Sequence, residues 1–184
     1  GTGTEGTDYA TVSDITIVGG ATTGTASFTP TNDSVFEGNE TGIIAIDTVT
    51  GGGGGVTENG TQAVTITITD DESAPTVTLT SSASSIAENA GTSLTLTATL
   101  SGATDEAVTV GISTSGTGTE GTDYGTVSDI TIAAGATTGT TSFTPTDDSV
   151  FEGNETGIIA IDTVSGGGAT ESGTQTQTIT ITEN

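Results

Sequence analysis

Carboxylates are the chain's main chemical resource, and they recur in a pattern. In the second half they stand at Glu88 within SIAENAG, at Glu120 and Asp123 within GTEGTDYG, at Asp147, Asp148, Glu152 and Glu155 within TDDSVFEGNE, and at Glu183 near the end. Each falls in a loop or at the end of an alternating apolar run. The 184 residues include no Lys, Arg, His or Cys, so thiol, imidazole and Schiff-base chemistry is absent and acid–base work would rest on carboxylates. An enzyme is therefore not expected. Carboxylates gathered in one place repel and raise one another's pKa unless a cation joins them. Calcium suits such an all-oxygen donor set, because it takes about six to eight ligands in loose geometry; magnesium demands tighter octahedral order, and zinc favours His or Cys. Glycoside hydrolysis would need two carboxylates about 5–10 Å apart across a sugar cleft. Calcium-saturated carboxylates are poor acids, and no Trp is present to stack a sugar.

The formal net charge is −24, which leaves nothing to neutralise phosphates and excludes nucleic acid and anionic membrane surfaces as partners. No apolar run approaches the roughly 18 residues of a spanning helix, so membrane insertion is not expected. The lack of any Met is read as a window cut from a longer or processed polypeptide. Calcium and neighbouring repeats of the same chain are the expected partners, with other copies in a fibre as a further one.

The elements that must position these acids come in two copies. GTGTEGTDY occupies residues 1–9 and again 116–124, an offset of 115. The match continues through TVSDITI at 11–17 and 126–132, SFTP at 27–30 and 142–145, DSVFEGNETGIIAIDTV at 33–49 and 148–164, and TITIT at 65–69 and 178–182. A Gly run at 51–55 shortens to 166–168 and accounts for the slip in register. That run lacks the Lys and following helix of a phosphate loop and is read as a hairpin connection. Residues 73–115 form a front portion present only once, giving a repeat at 1–72 that lacks its first strands and a complete repeat at 73–184.

Apolar residues alternate at Leu94, Leu96, Ala98 and Leu100, at Val108, Val110 and Ile112, at Val64, Ile66 and Ile68, and at Ile179 and Ile181. Period two predicts half-buried strands, with Thr on the wet face. Seven are predicted in the complete copy, near 76–80 with 84–87, 92–100, 107–114, 127–132, 138–145, 157–164 and 175–182. That spacing fits an all-β, two-sheet antiparallel sandwich of about 100 residues, whose loops gather at its ends. Tyr9, Phe28, Phe36, Tyr124, Phe143 and Phe151 are expected as core or corner residues. Two back portions and one front portion cannot complete every sandwich by exchange, so further front strands are expected upstream in a longer polymer.

ENAG, GTEGTDY, FTPTDDSVFEGNE and the TITDDE that closes the first copy together resemble the successive signatures of the Calx-β domain, over essentially the whole chain. The resemblance implies an immunoglobulin-like sandwich in tandem repeats, binding calcium at one end. It implies as ligands Glu88, Asp123, Asp147, Asp148, Glu152, Glu155 and the Val150 carbonyl in the second copy, with Glu183 at the last strand's end. In the first copy it implies Asp8, Asp33, Glu37, Glu40 and the Val35 carbonyl, with Asp70, Asp71 and Glu72 closing the site from the linker and stiffening the junction. Asn32 stands where Asp147 stands in the second copy and removes a charge. The clustering implies more than one ion per complete repeat. The function expected from all this is a calcium-rigidified repeat of a long secreted adhesin, matrix protein or extracellular fibre, placed outside the cell or at its surface. A self-assembling filament subunit, joined through open strand edges or calcium, and a receptor- or glycan-binding module are the alternatives. Asn32, Asn39, Asn59 and Asn154 each open an N-x-[ST] sequon.

Overall fold

A computed structural model describes residues 1–183. Thr-, Val- and Ile-rich alternation yields strands β1 (Val35–Phe36), β2 (Glu40–Ala45), β3 (Ala63–Ile68), β4 (Thr76–Ser81), β5 (Ser85–Ala87), β6 (Leu94–Leu100), β7 (Ala103–Thr104), β8 (Val108–Gly116), β9 (Ile130–Ile132), β10 (Thr138–Phe143), β11 (Glu155–Ser165), β12 (Thr170–Glu171) and β13 (Thr176–Thr182). The described helical content is two short 3-10 turns, Gly52–Gly54 and Glu88–Ala90. No helix among the described residues is long and apolar enough to cross a membrane. The chain forms two compact units: one from Gly1–Asp33 with Gly38–Asp71, the other from Ser34–Glu37 with the residues from Glu72 onward.

The second unit is an immunoglobulin-like sandwich, with a sheet in the order β10-β6-β4-β12 and another in the order β5-β13-β11-β8-β9. Most neighbours are antiparallel; β12 on β4 and β5 on β13 are parallel. The long strand β11 anchors its sheet. It pairs with β13 from Glu155↔Ile181 to Ala160↔Thr176, and with β8 from Gly157↔Gly116 to Ser165↔Thr109 around a bulge at Ile161/Thr163. Alternate residues therefore face the other sheet, and Val77, Leu79 and Leu96 meet Val110, Ile130, Ile159 and Ile179 in a closed core. Each such burial contributes roughly 1.5–3 kcal/mol. Tyr124 and Phe143 stack inside this unit with ring centroids 4.7 Å apart. A Cβ at Gly157 would lie 2.8 Å from the Phe143 ring, so the absence of a side chain there lets the aromatic seat against β11.

Phe151 corrects the expectation of a core or corner role, being 83% exposed. It lies in the loop between β10 and β11, outside any strand. Phe36 is half-buried in β1, which pairs with β7 in the same unit. The fourth of the expected strands, 127–132, forms only over Ile130–Ile132.

The first unit is simpler. Strands β2 and β3 pair antiparallel from Glu40↔Ile68 to Ala45↔Ala63, and Tyr9 and Phe28 lie 4.6 Å apart by centroid. Tyr9 bridges to Pro30 as Tyr124 does to Pro145. The TVSDITI segment of this copy forms no strand.

Candidate metal centre

In the second unit the carboxylates are brought together by backbone hydrogen bonds that their own chemistry creates. The GTEGTDY turn closes on Asp123, whose Oδ2 accepts the Thr119 N–H at 2.5 Å, while the Asp123 carbonyl accepts the Thr146 N–H at 3.0 Å. These bonds tie the turn to the TDDSVFEGNE loop. Glu88 sits in the 3-10 turn after β5, only 8% exposed, and its Oε1 accepts the Asp148 N–H at 3.0 Å. Asp148 Oδ1 in turn accepts the Val150 N–H at 2.6 Å. From the end of β13, Glu183 Oε2 accepts the N–H groups of Glu152 and Gly153, each at 3.2 Å. Gly153 has φ of 81°, a left-handed conformation that glycine adopts without strain, and this aims its N–H at Glu183.

The outcome is a knot of charge. One carboxylate oxygen from each of Asp123, Glu152 and Glu155 lies within 4.8 Å of the others. Lost hydration raises the pKa of Glu152, and the charges of Asp123, Asp148, Glu183 and Glu88 raise it further. Lost hydration likewise raises Glu155, followed by Asp123, Glu152, a hydrogen bond shared with Asp123, and Glu183. The chain thus holds negative charge at a density its own side chains cannot neutralise, there being no Lys, Arg or His to pair with it. Oxygen-only donors, several carboxylates and partial exposure fit a hard divalent cation of calcium's kind.

Not every residue expected in the set joins this group. Asp147 is exposed and lies outside the Asp123–Glu152–Glu155 trio. Asp148, Glu88 and Glu183 adjoin the trio through their charges on Glu152. Val150 is exposed, with its N–H held by Asp148.

The first unit repeats the scaffold. Asp8 Oδ2 accepts the Thr4 N–H at 2.5 Å, and the Asp8 carbonyl accepts the Thr31 N–H at 2.9 Å. Asp70 occupies the place of Glu183, its Oδ2 accepting the Gly38 N–H at 2.6 Å. Carboxylate oxygens of Asp8 and Glu40 lie within 4.8 Å of each other, as do those of Asp70 and Asp71. Asn32 and Asp33 are exposed. Val35 and Glu37 belong to the segment grouped with the second unit, and Glu72 opens the main body of that unit.

Two residues with a structural part in this scaffold went unread as such in the sequence. Asn154 Oδ1 accepts the Glu183 N–H at 3.2 Å, and Asn39 Oδ1 accepts the Asp70 N–H at 3.0 Å. The signal for them in the sequence is an Asn directly before Glu40 and before Glu155, at the same place in both copies. Glu120 serves as a brace, its Oε2 accepting from the Thr114 hydroxyl at 2.6 Å and its Oε1 from the Val127 N–H at 2.9 Å.

The family profile of the Calx-beta domain matches residues 1–72 and 70–184. Among solved structures, an apo-form Calx CBD1 domain is similar at 21% identity, over 59% of this chain and 98% of that one, with a TM-score of 0.49. The CBD12 structure from CALX1.2 is similar at 22% identity and a TM-score of 0.49, over 58% of this chain and 44% of that one. No curated protein matches the chain significantly.

Proposed function

This chain belongs to the Calx-beta domain family, whose domains bind calcium, and we propose that it is a structural repeat whose acidic loops calcium rigidifies, within a long extracellular adhesin, matrix protein or fibre. The observation that carries this reading is the convergence of Asp123, Glu152 and Glu155 within 4.8 Å in a sequence without a basic side chain. Glu152 and Glu155, on either side of Gly153, would hold the ion together with Asp123, with Asp148, Glu88 and Glu183 beside them. Bound calcium supplies positive charge that offsets their mutual repulsion. The chain's own residues do the rest: Glu88 fixes the Asp148 backbone, Glu183 fixes Glu152 and Gly153, and Asn154 fixes Glu183. Each loop is pinned to a strand end, so cation binding and loop order are coupled.

Along the sequence, the consecutive Asp70, Asp71 and Glu72 extend the proposal to the stretch where one repeat gives way to the next. Duplicated, near-identical loops suit a spacer, which needs the same element many times over. The test is calorimetric titration with calcium and, separately, magnesium, on the wild-type chain and on Asp148→Asn with Glu152→Gln. Calcium binding in the wild type and its loss from the second repeat in the variant support the reading. Equal, weak binding of both ions would reduce the acids to a solvated surface.

A further inference from the structure

The fold uses the asparagines of the four sequons differently. Asn39 and Asn154 commit their side chains to the Asp70 and Glu183 N–H groups. Asn59 is exposed in the loop that leads into β3, and Gly60 behind it makes the only Asn-Gly pair of the sequence. The backbone carbonyl of Asn59 accepts Gln62 Nε2 at 2.7 Å, and Gln62 is fixed in turn by its own N–H, which donates to Glu58 Oε1 at 2.6 Å. This loop is the same in the second unit, where Gln175 donates to the Ser172 carbonyl and to Glu171 Oε1, each at 2.6 Å. Gly60 and Gly173 share a left-handed φ, 69° and 65°, and a Cβ at either would meet nothing within 4 Å. The Gly173 N–H donates only to the Glu171 carbonyl two residues back, at 3.1 Å, so no ladder bond locks the nitrogen at this position.

We propose that Asn59–Gly60 is a self-modification site, where the chain converts Asn59 to aspartate and isoaspartate with water as co-reactant, and that Gln62 promotes the step. The Gly60 nitrogen bonds to Asn59 Cγ and gives its proton to solvent. The Cγ–Nδ2 bond breaks, the side-chain nitrogen leaves as ammonia, and a succinimide ring closes. Water then opens the ring at either of its two carbonyls; nothing is oxidised or reduced. Glycine favours the attack because no Cβ crowds its nitrogen. Gln62 acts on the same peptide bond. As the Gly60 proton departs, amide resonance shares the negative charge with the Asn59 carbonyl oxygen, which is the atom that accepts Gln62 Nε2. A hydrogen bond to a charged oxygen is stronger than one to a neutral oxygen, so Gln62 stabilises the attacking form more than the resting one. The product sets a carboxylate beside Glu58 and takes the net charge from −24 to −25. Isoaspartate also adds a backbone carbon on the approach to β3. Ser172 has no carboxamide to lose, so two nearly identical copies differ in this chemistry through a single residue. The proposal is independent of calcium.

The test is intact-mass spectrometry of the full chain aged in warm neutral buffer, with fragmentation to place the mass gain and enzymatic methylation of isoaspartyl groups to identify the second product. A synthetic peptide of residues 56–63 is aged alongside as a clock. The expected result is a gain of one mass unit at residue 59, ahead of Asn32, Asn39, Asn89 and Asn154, with isoaspartate among the products and no such gain in Asn59→Ser. Gln62→Ala should slow the conversion about fivefold in the folded chain, the worth of one hydrogen bond, and leave it unchanged in denaturant. The direction is diagnostic, because merely loosening the loop would speed the cyclisation. No gain at residue 59 by the time the peptide has fully converted would overturn the proposal. So would conversion spread evenly over the five asparagines, or a Gln62→Ala chain that converts at the wild-type rate or faster.

Discussion

Ile15 and Ile130 occupy the same place in two copies of TVSDITI, yet the first is 58% exposed and the second fully buried. Ile17 and Ile132 differ in the same way. The local sequence is identical and so is its β propensity; what differs is β8, against which Ile130–Ile132 pair and which has no counterpart in the first unit. Strand formation here is decided by the partner. β-branched residues fit a pleated surface only once there is a surface to join, and a lone alternating segment has neither ladder bonds nor a covered face.

That contrast predicts its largest effect at the shared aromatic. Phe143 is fully buried and stacked on Tyr124, whereas Phe28 is only half-buried. Phe143→Ala should cost the second unit about 3–5 kcal/mol, and Phe28→Ala should cost the first unit less than half of that. Denaturant unfolding followed by hydrogen exchange at β11 and β2 measures both; equal losses would break the contrast.

Calcium should give the next largest effect. At a hundredfold excess over Kd it would stabilise the second unit by about 2.7 kcal/mol, a rise of roughly 10 °C in midpoint. Asp148→Asn with Glu152→Gln should abolish that rise, with scanning calorimetry as the readout. Glycines sharpen the comparison further. A Cβ would meet the Phe ring at 2.8 Å at both Gly157 and Gly42. Gly157→Ala should cost about 1–3 kcal/mol in the closed core, and Gly42→Ala less, because half-exposed Phe28 has room to move.

How much of this was readable from sequence follows the range of the interactions. Period-two alternation locates β4, β6, β8, β11 and β13 because each side chain's destination depends on its own strand's pleat. The two-residue strands β7 and β12 carry no such period, and they form only where a neighbour already lies. Phe151 misleads because its type says that it is apolar and nothing about whether it falls in a strand or a loop. The TDDSVFEGNE motif marks a charged loop, but spacing alone does not tell which of the adjacent Asp147 and Asp148 has its backbone N–H held by a distant carboxylate. The backbone bond from Asp148 to Glu88, 60 residues away, makes that distinction. Asn39 and Asn154 escape for the same reason, since the N–H groups they accept from, those of Asp70 and Glu183, lie just past the ends of β3 and β13, about 30 residues further along the chain.

The smallest effect expected is one of pH, and its sign separates repulsion from pairing. A carboxylate paired with a cation has a lowered pKa, and its stabilisation is lost as pH falls. Glu152 and Glu155 are the reverse: their folded values are raised, so the folded state holds protons more tightly than the unfolded one. Without calcium, their contribution to stability is fully present below the ordinary carboxylate value near 4.5 and is lost as pH rises through the raised values. In chelator, the second unit's unfolding midpoint should therefore fall modestly as pH is raised from about 4.5 toward neutrality, and Glu152→Gln should flatten the slope. Saturating calcium should abolish this fall at neutral pH, because a bound cation replaces the protons that relieve the repulsion. A midpoint that rises with pH in chelator would mean that these carboxylates are already compensated within the fold, and calcium would then have no unrelieved charge to answer.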